Sequence, residues 1–177
     1  MILGDKELRS RITNDLLVQG IEPDQINPAS VNLKLGDTWL SPDKMDYPVV
    51  LGDCLDYEKI KAREIVISPG EFLLATTEEC VNMPHDLSAF VQGRSSIGRI
   101  GLTVQNAGFV DPGFHGHITL ELVNESPNPI ILRAGYPVAQ LVFFKTSAVE
   151  KLYRGKYNGQ IDATGSRMYM DREADKR

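Results

Sequence analysis

The chain has 177 residues, 42% of them hydrophobic and 24% charged, with a formal net charge of −5. These are ordinary values for one soluble globular domain with a sizeable core. No apolar run approaches the roughly 20 residues of a membrane helix, and the negative balance argues against a broad nucleic-acid footprint. The N-terminus MILGDKELRS lacks the apolar core of a secretory signal. Cys54 and Cys80 lie far apart without metal-ligand spacing, which predicts buried or free thiols in a reducing, cytoplasmic compartment. An anionic ligand would have to be met by a local cationic site, for which Arg94, Arg99 and Lys156 are the candidates.

Residues 3–19 predict a helix, because Leu8, Ile12 and Leu16 fall four apart, with Asp5 placed to cap it and Gly20 to stop it. The chain then turns extended, Val31, Leu33 and Leu35 alternating with Asn32 and Lys34. Residues 36–62 are turn-rich and weakly patterned, and are read as a loop or hairpin. From residue 63 onward EIVI, EFLLAT, SAFVQ, GLTVQ, HITLELVN, PIILR and VAQLVFFK predict short strands between glycine and proline turns. Such a series indicates an all-β sandwich or barrel capped by the N-terminal helix. No internal repeat appears. After Lys145 the pattern weakens, and the glycine-rich, polar C-terminal segment is expected to be disordered unless a ligand or partner orders it.

One stretch, Gly93 to Glu121, concentrates chemistry-bearing residues. It opens with Gly93, Arg94, Ser95 and Ser96 and a second arginine at Arg99, a mixture of backbone donors, hydroxyls and guanidinium that suits a phosphate. It closes on HITLE, where Ile118, Leu120 and Leu122 share one strand face and His117, Thr119 and Glu121 the other. Between them NAGFVDPGFHG forms a punctuated loop carrying Asp111. Taken singly, a GRSS turn and a strand glutamate are ordinary surface features; their combination in one short window makes a candidate active site. His115 and His117 stand two apart without a third ligand and are read as structural.

GRSSIGRIGL followed by AGFVDPGFHGHITLELVN closely resembles the dCTP deaminase family, and within it the bifunctional dCTP deaminase/dUTPase branch. INPASVNLKLGD at 26–37, SPGEFLLATTEECVNMPHDL at 68–87 and KYNGQIDATGSR at 156–167 resemble further blocks of that family in its order. The resemblance implies a mainly β, β-clip or dUTPase-like jelly-roll barrel with an N-terminal helix. It implies a single domain over residues 1–150 and a tail, 151–177, that closes over the nucleotide.

The resemblance also assigns roles. Glu121, ten residues after Asp111, falls at the family's catalytic glutamate and would shuttle protons. Ser95 and Arg99 would orient the water and stabilise charge at the cytosine C4. Arg94, Ser95 and Ser96, from a neighbouring subunit, and Tyr153, Lys156 and Gln160, from the tail, would bind the triphosphate. Asp111 would read the deoxyribose and share in catalysis, and Phe109 would exclude a 2′-hydroxyl. Mg²⁺ would be held through phosphates and water with no protein metal ligands. Zinc deaminases use an HxE and a PCxxC motif, and this chain has neither, so deamination without zinc is expected. The implied partners are dCTP and dUTP, with dTTP a candidate feedback inhibitor, in a homotrimer with shared active sites. The loop before Ala107 departs from the family: it is one residue shorter and lacks a histidine and threonine, which leaves Val104, Gln105 and Asn106 without carried-over roles.

The leading expectation is therefore conversion of dCTP to dUMP by deamination and pyrophosphate release. The alternative is a monofunctional deaminase releasing dUTP and ammonia. A dUTPase alone is disfavoured because GRSSIGR is the deaminase form, and a silent nucleotide sensor is disfavoured by the joint presence of Ser95, Arg99 and Glu121.

Overall fold

Alternation of apolar and polar residues drives most of the regular structure of this chain into strands, and a computed structural model describes residues 1–15, 17–105 and 108–171. Helix α1 (Asp5–Asp15) leads into β1 (Val18–Gln19), a 3-10 turn at Pro23–Gln25, β2 (Ile26–Asn27) and β3 (Ser30–Pro42). Then follow β4 (Tyr57–Lys61), β5 (Glu64–Ile67), β6 (Phe72–Asn82), β7 (Leu87–Gly93), the single-turn helix α2 (Ser95–Gly98), β8 (Leu102–Gln105) and β9 (Phe109–Val110). The series ends with β10 (His115–Asn124), β11 (Ile130–Arg133) and β12 (Pro137–Lys145). The mainly β fold with an N-terminal helix is as the sequence predicts.

The main sheet runs β8-β10-β6-β3-β12-β7-β9, with β1 and β4 attached to β6 and β3, and β11-β5 form a separate ribbon. Strand β3 belongs to both halves of the curled sheet. Its first part pairs with β12, Leu141 opposite Val31; its second part pairs with β6 and β4, Trp39 opposite Ala75 and Ile60. The inward faces of both halves meet in one core that includes Leu33, Trp39, Leu120 and Phe143, all fully buried. The weakly patterned 36–62 region resolves into the second half of β3 and its partner β4 joined by a long loop, the hairpin expected as one of two readings.

The helix is shorter than the predicted 3–19. It spans Asp5–Asp15, and Leu17 and Val18 are instead buried, with Val18 paired to Val81 of β6. Cross-strand burial outweighs the helical period there. Leu16 lies outside the described residues. The Asp5 carboxylate accepts the Lys6 N–H at 2.9 Å from within the first turn, and Gly20 follows β1 rather than the helix.

A buried carboxylate ties the N-terminal segment to the sheet. Glu79, fully buried on β6, accepts from Gln25 Nε2 at 2.6 Å and from the Lys34 N–H at 2.9 Å. Burial raises its pKa above the usual 4.5, and the two N–H donors oppose the rise. Glu79→Ala would strand both donors and is expected to cost about 2–3 kcal/mol of unfolding free energy. Because the folded-state pKa is raised, the contribution of Glu79 is fully present below 4.5 and is lost as pH rises through the raised value. Urea denaturation of wild type and Glu79→Gln from acid to neutral pH checks this: the wild type should lose ground to the variant as pH increases.

Candidate active site

The turn Asp111–Phe114 and strand β10 create the site. Phe109 and Val110 pair with Phe90 and Ala89 of β7, after which the chain turns at Pro112-Gly113 and closes with Phe114 N–H on the Asp111 carbonyl at 3.1 Å. The Asp111 side chain is left exposed at the corner. Along β10 the expected alternation holds: Ile118, Leu120 and Leu122 are buried while His117, Thr119 and Glu121 are half-buried on the other face. Glu121 is held from both sides, opposite Leu74 of β6 and Gln105 of β8.

Strand β8 covers only Glu121 to Asn124 of one β10 edge. The C-terminal segment covers the start of it. The His115 N–H donates to Asn158 Oδ1 at 2.8 Å and its carbonyl accepts from the Gly159 N–H at 2.7 Å. The His117 N–H donates to the Gln160 carbonyl at 2.9 Å, and its carbonyl accepts from Gln160 Nε2 at 2.6 Å. All four edge groups are thereby satisfied. The segment from 151 to 171, expected to be disordered without a ligand or partner, is thus packed on the barrel; composition gave no sign of these backbone partners.

The result is a cavity of about 350 Å³ that brings together Asp111, Glu121, Tyr153 and Gln160 among the residues expected in the site. Tyr153 both lines it and packs, with its ring centroid 6.1 Å from that of Phe114. Phe109 lies in the same wall. Gln160 Oε1 is buried and unpartnered among the described residues, an acceptor at the cavity wall.

Arg94, Ser95, Ser96 and Arg99 do not line this cavity. They lie on and around α2, where the expected phosphate loop is a helical turn; Ser95, Ser96 and Arg99 are exposed and Arg94 donates to the Pro137 carbonyl at 3.0 Å. Lys156 also stands outside the lining and is paired with Asp171 at 2.6 Å. Among the described residues, the cavity wall contains two carboxylates and no lysine or arginine. His117 directs Nδ1 to the Thr77 carbonyl at 2.9 Å, in line with its structural reading. Among the described residues no three His, Cys, Asp or Glu side chains form a metal-sized cluster. Asn106 and Ala107 of the departing loop lie outside the described residues, whereas Val104 and Gln105 pair with β10.

Tyr57, Thr119, Tyr157 and residues 164–166 also line the cavity and were not singled out as site residues from the sequence. Thr119 was visible in principle, since it shares the strand face of Glu121. Tyr57 gave no signal, because only the pairing of β4 with β3 brings it there.

The sequence model of the dCTP deaminase-like family matches residues 2–146. The chain belongs to the dCTP deaminase family. Among dCTP deaminases, the dUMP-forming enzyme of Persephonella marina is 42% identical over 180 residues, covering 98% of this chain and 100% of that one. The dUMP-forming enzyme of a Sulfurihydrogenibium species is 44% identical with the same coverage. The crystal structure of the dCTP deaminase from Agrobacterium tumefaciens superposes with a TM-score of 0.62 at 22% identity, over 80% of this chain. This chain spans 47% of that one, and the likeness bears on the fold alone. Among the described residues no helix is long and apolar enough to cross a membrane.

The tail contact generates a prediction for this chain. Gly116 has φ +140, and a Cβ there would lie 2.7 Å from the Gln160 carbonyl oxygen. Gly116→Ala is expected to raise the hydrogen-exchange rates of the His117 and Gly159 amides about tenfold or more, while the β6–β10 ladder stays protected. Mass-spectrometric or NMR exchange measures it.

Proposed function

We propose that the protein converts dCTP to dUMP in two hydrolytic steps at one site. Water first replaces the 4-amino group of cytosine, releasing ammonia; a second water then cleaves bound dUTP between the α- and β-phosphates, releasing pyrophosphate. The observation that carries this reading is the convergence of Asp111, Glu121, Tyr153 and Gln160 on one cavity, in a chain so similar over its length to dUMP-forming relatives.

Glu121 is the proton carrier. A half-buried carboxylate fixed between two strands can take a proton from the attacking water as oxygen bonds to C4, and return it to the amino nitrogen as the C–N bond breaks. Ser95 and Arg99 place the water and offset the developing charge. Arg94, Ser95 and Ser96, with Tyr153, Lys156 and Gln160 of the C-terminal segment, hold the triphosphate, and Asp111 accepts from the sugar 3′-hydroxyl. Asp111 and Glu121 then position the second water in line with the phosphate bond. The first step is proposed to proceed without zinc.

Mg²⁺ prefers one or two carboxylates plus substrate phosphates to a full protein cage. Asp111 and Glu121 are assigned to the sugar, the proton and the second water, so the ion would arrive with the triphosphate and be held through its phosphate oxygens and water. When bound, it neutralises charge on the phosphate oxygens.

A homotrimer with shared sites is the assembly we propose, and the charge of the cavity supports the sharing. Among the described residues the lining carries two carboxylates and no lysine or arginine, which favours Arg94, Ser95, Ser96 and Arg99 entering from a neighbouring copy to join Lys156 on the triphosphate. Phe90 and Phe109, 44% and 47% exposed, form an aromatic cluster with Phe144 at centroid distances of 5.2–5.9 Å. This patch adjoins the cavity and suits a subunit boundary. The free thiols Cys54 and Cys80 suit a reducing compartment, for which we propose the cytoplasm. dTTP, which shares the sugar and triphosphate, is a candidate competitor at the same site.

Incubation with dCTP and ion-exchange separation of products should yield dUMP and pyrophosphate. Accumulation of dUTP equal to the dCTP consumed would overturn the two-step reading in favour of the monofunctional deaminase. Glu121→Gln should lower deamination on the order of 10²–10⁴-fold with dCTP affinity nearly unchanged. Mixed trimers test the sharing: exchanging inactive Glu121→Ala chains with inactive Arg94→Ala chains should restore activity, and no recovery in folded, exchanged mixtures would refute it.

A further inference from the structure

We propose that Tyr57 is a positioning residue that latches residues 163–166 of the C-terminal segment in place, so that they form a wall of the nucleotide cavity. The inference rests on the reading of that cavity as the dCTP site.

Tyr57 opens β4, opposite Pro42 of β3, and its half-buried side chain meets the C-terminal segment at three successive levels. Ala163, 8% exposed, is buried with Leu40 and Leu74 against the Tyr57 ring. Gly165 crosses the ring so closely that a Cβ there would lie 2.5 Å from Cε2. The Ser166 N–H donates to the Tyr57 hydroxyl at 3.1 Å. A methyl in an apolar niche, a glycine over an aromatic face and an amide on a phenol specify one docked register.

Neighbouring contacts reinforce the same register. The Thr164 N–H donates to Thr119 Oγ1 at 3.0 Å, two residues from Glu121 on the same strand face. The next amide, Arg167 N–H, donates to the Tyr157 hydroxyl at 3.0 Å. Asp162 pairs with Lys59 of β4 at 2.7 Å. Residues 161–167 have no regular secondary structure, so side chains from the barrel must offset the conformational entropy lost on docking.

A wall docked before the nucleotide arrives spares binding the cost of ordering it. Loss of the latch should therefore weaken substrate binding and leave the proton transfer at Glu121 largely intact, a signature in KM rather than kcat.

Tyr57→Ala, Tyr57→Phe, Gly165→Ala and the Tyr57→Ala/Gly165→Ala double variant test this by two measurements. One is KM and kcat for dCTP; the other is the rate of trypsin cleavage after Arg167 without nucleotide, which needs no activity. Tyr57→Ala should raise both KM and cleavage rate about tenfold, the scale of one lost hydrogen bond with its packing, with kcat within about twofold. Tyr57→Phe keeps the ring contact and should show about a threefold effect. Gly165→Ala alters the docked segment and not the barrel; it should reproduce the roughly tenfold change in the wild-type background and add nothing once the ring is gone. The latch is refuted if Tyr57→Ala leaves the segment protected and KM unchanged, if Gly165→Ala costs the same in both backgrounds, or if kcat falls while KM holds. A wild type that turns over no dCTP would sink the nucleotide reading, and the trypsin arm would still judge the latch.

Discussion

The site depends on one piece of backbone accounting. Strand β8 is too short to cover β10, and the N–H and C=O groups of His115 and His117 would otherwise face an open edge. Unpaired edge groups must find water or another segment. Here residues 158–160 supply every partner, and this draws the C-terminal segment across the mouth between β10 and β4. Tyr153, Gln160 and residues 164–166 become cavity wall because an edge needed pairing.

The cavity so formed is electrostatically incomplete. Asp111 and Glu121 face it, and its lining among the described residues carries no lysine or arginine. The basic residues of the GRSSIGR stretch, Arg94 and Arg99, flank α2 at its two ends, outside the lining. In the proposed trimer this division gives assembly a part in substrate binding, because the arginines beside α2 would come to the two carboxylates from a neighbouring copy. It also separates the two tasks in sequence, acid and sugar reading on β10 and its preceding turn, charge neutralisation on the turn after β7.

Most of the β framework was legible because strands buried on one face print a period of two, and β10 shows it without interruption from His117 to Asn124. The resemblance to dCTP deaminases then attached roles that periodicity could not. The helix end was misread because Leu17 and Val18 satisfy a helical repeat while burying themselves in a strand pair with β6. The packing of the C-terminal segment was not legible for a different reason: its order comes from backbone bonds and from glycines at 116 and 165 that admit close approach, neither of which alters composition. Tyr57 was invisible because a lone aromatic in a weakly patterned region acquires meaning only when β4 docks on β3.

The course of β3 has a consequence for how the molecule comes apart. One strand pairs with β12 along its first part and with β6 and β4 along its second, and Trp39, fully buried, anchors it through Nε1–H to the Ala62 carbonyl at 2.9 Å. Neither half of the sheet can open without stripping the strand the other half needs. The barrel is therefore one cooperative unit whose innermost amides exchange only through global unfolding, while the docked C-terminal segment, with few buried apolar contacts, forms a separate unit of lower stability. The protein can release its cavity wall and keep its core.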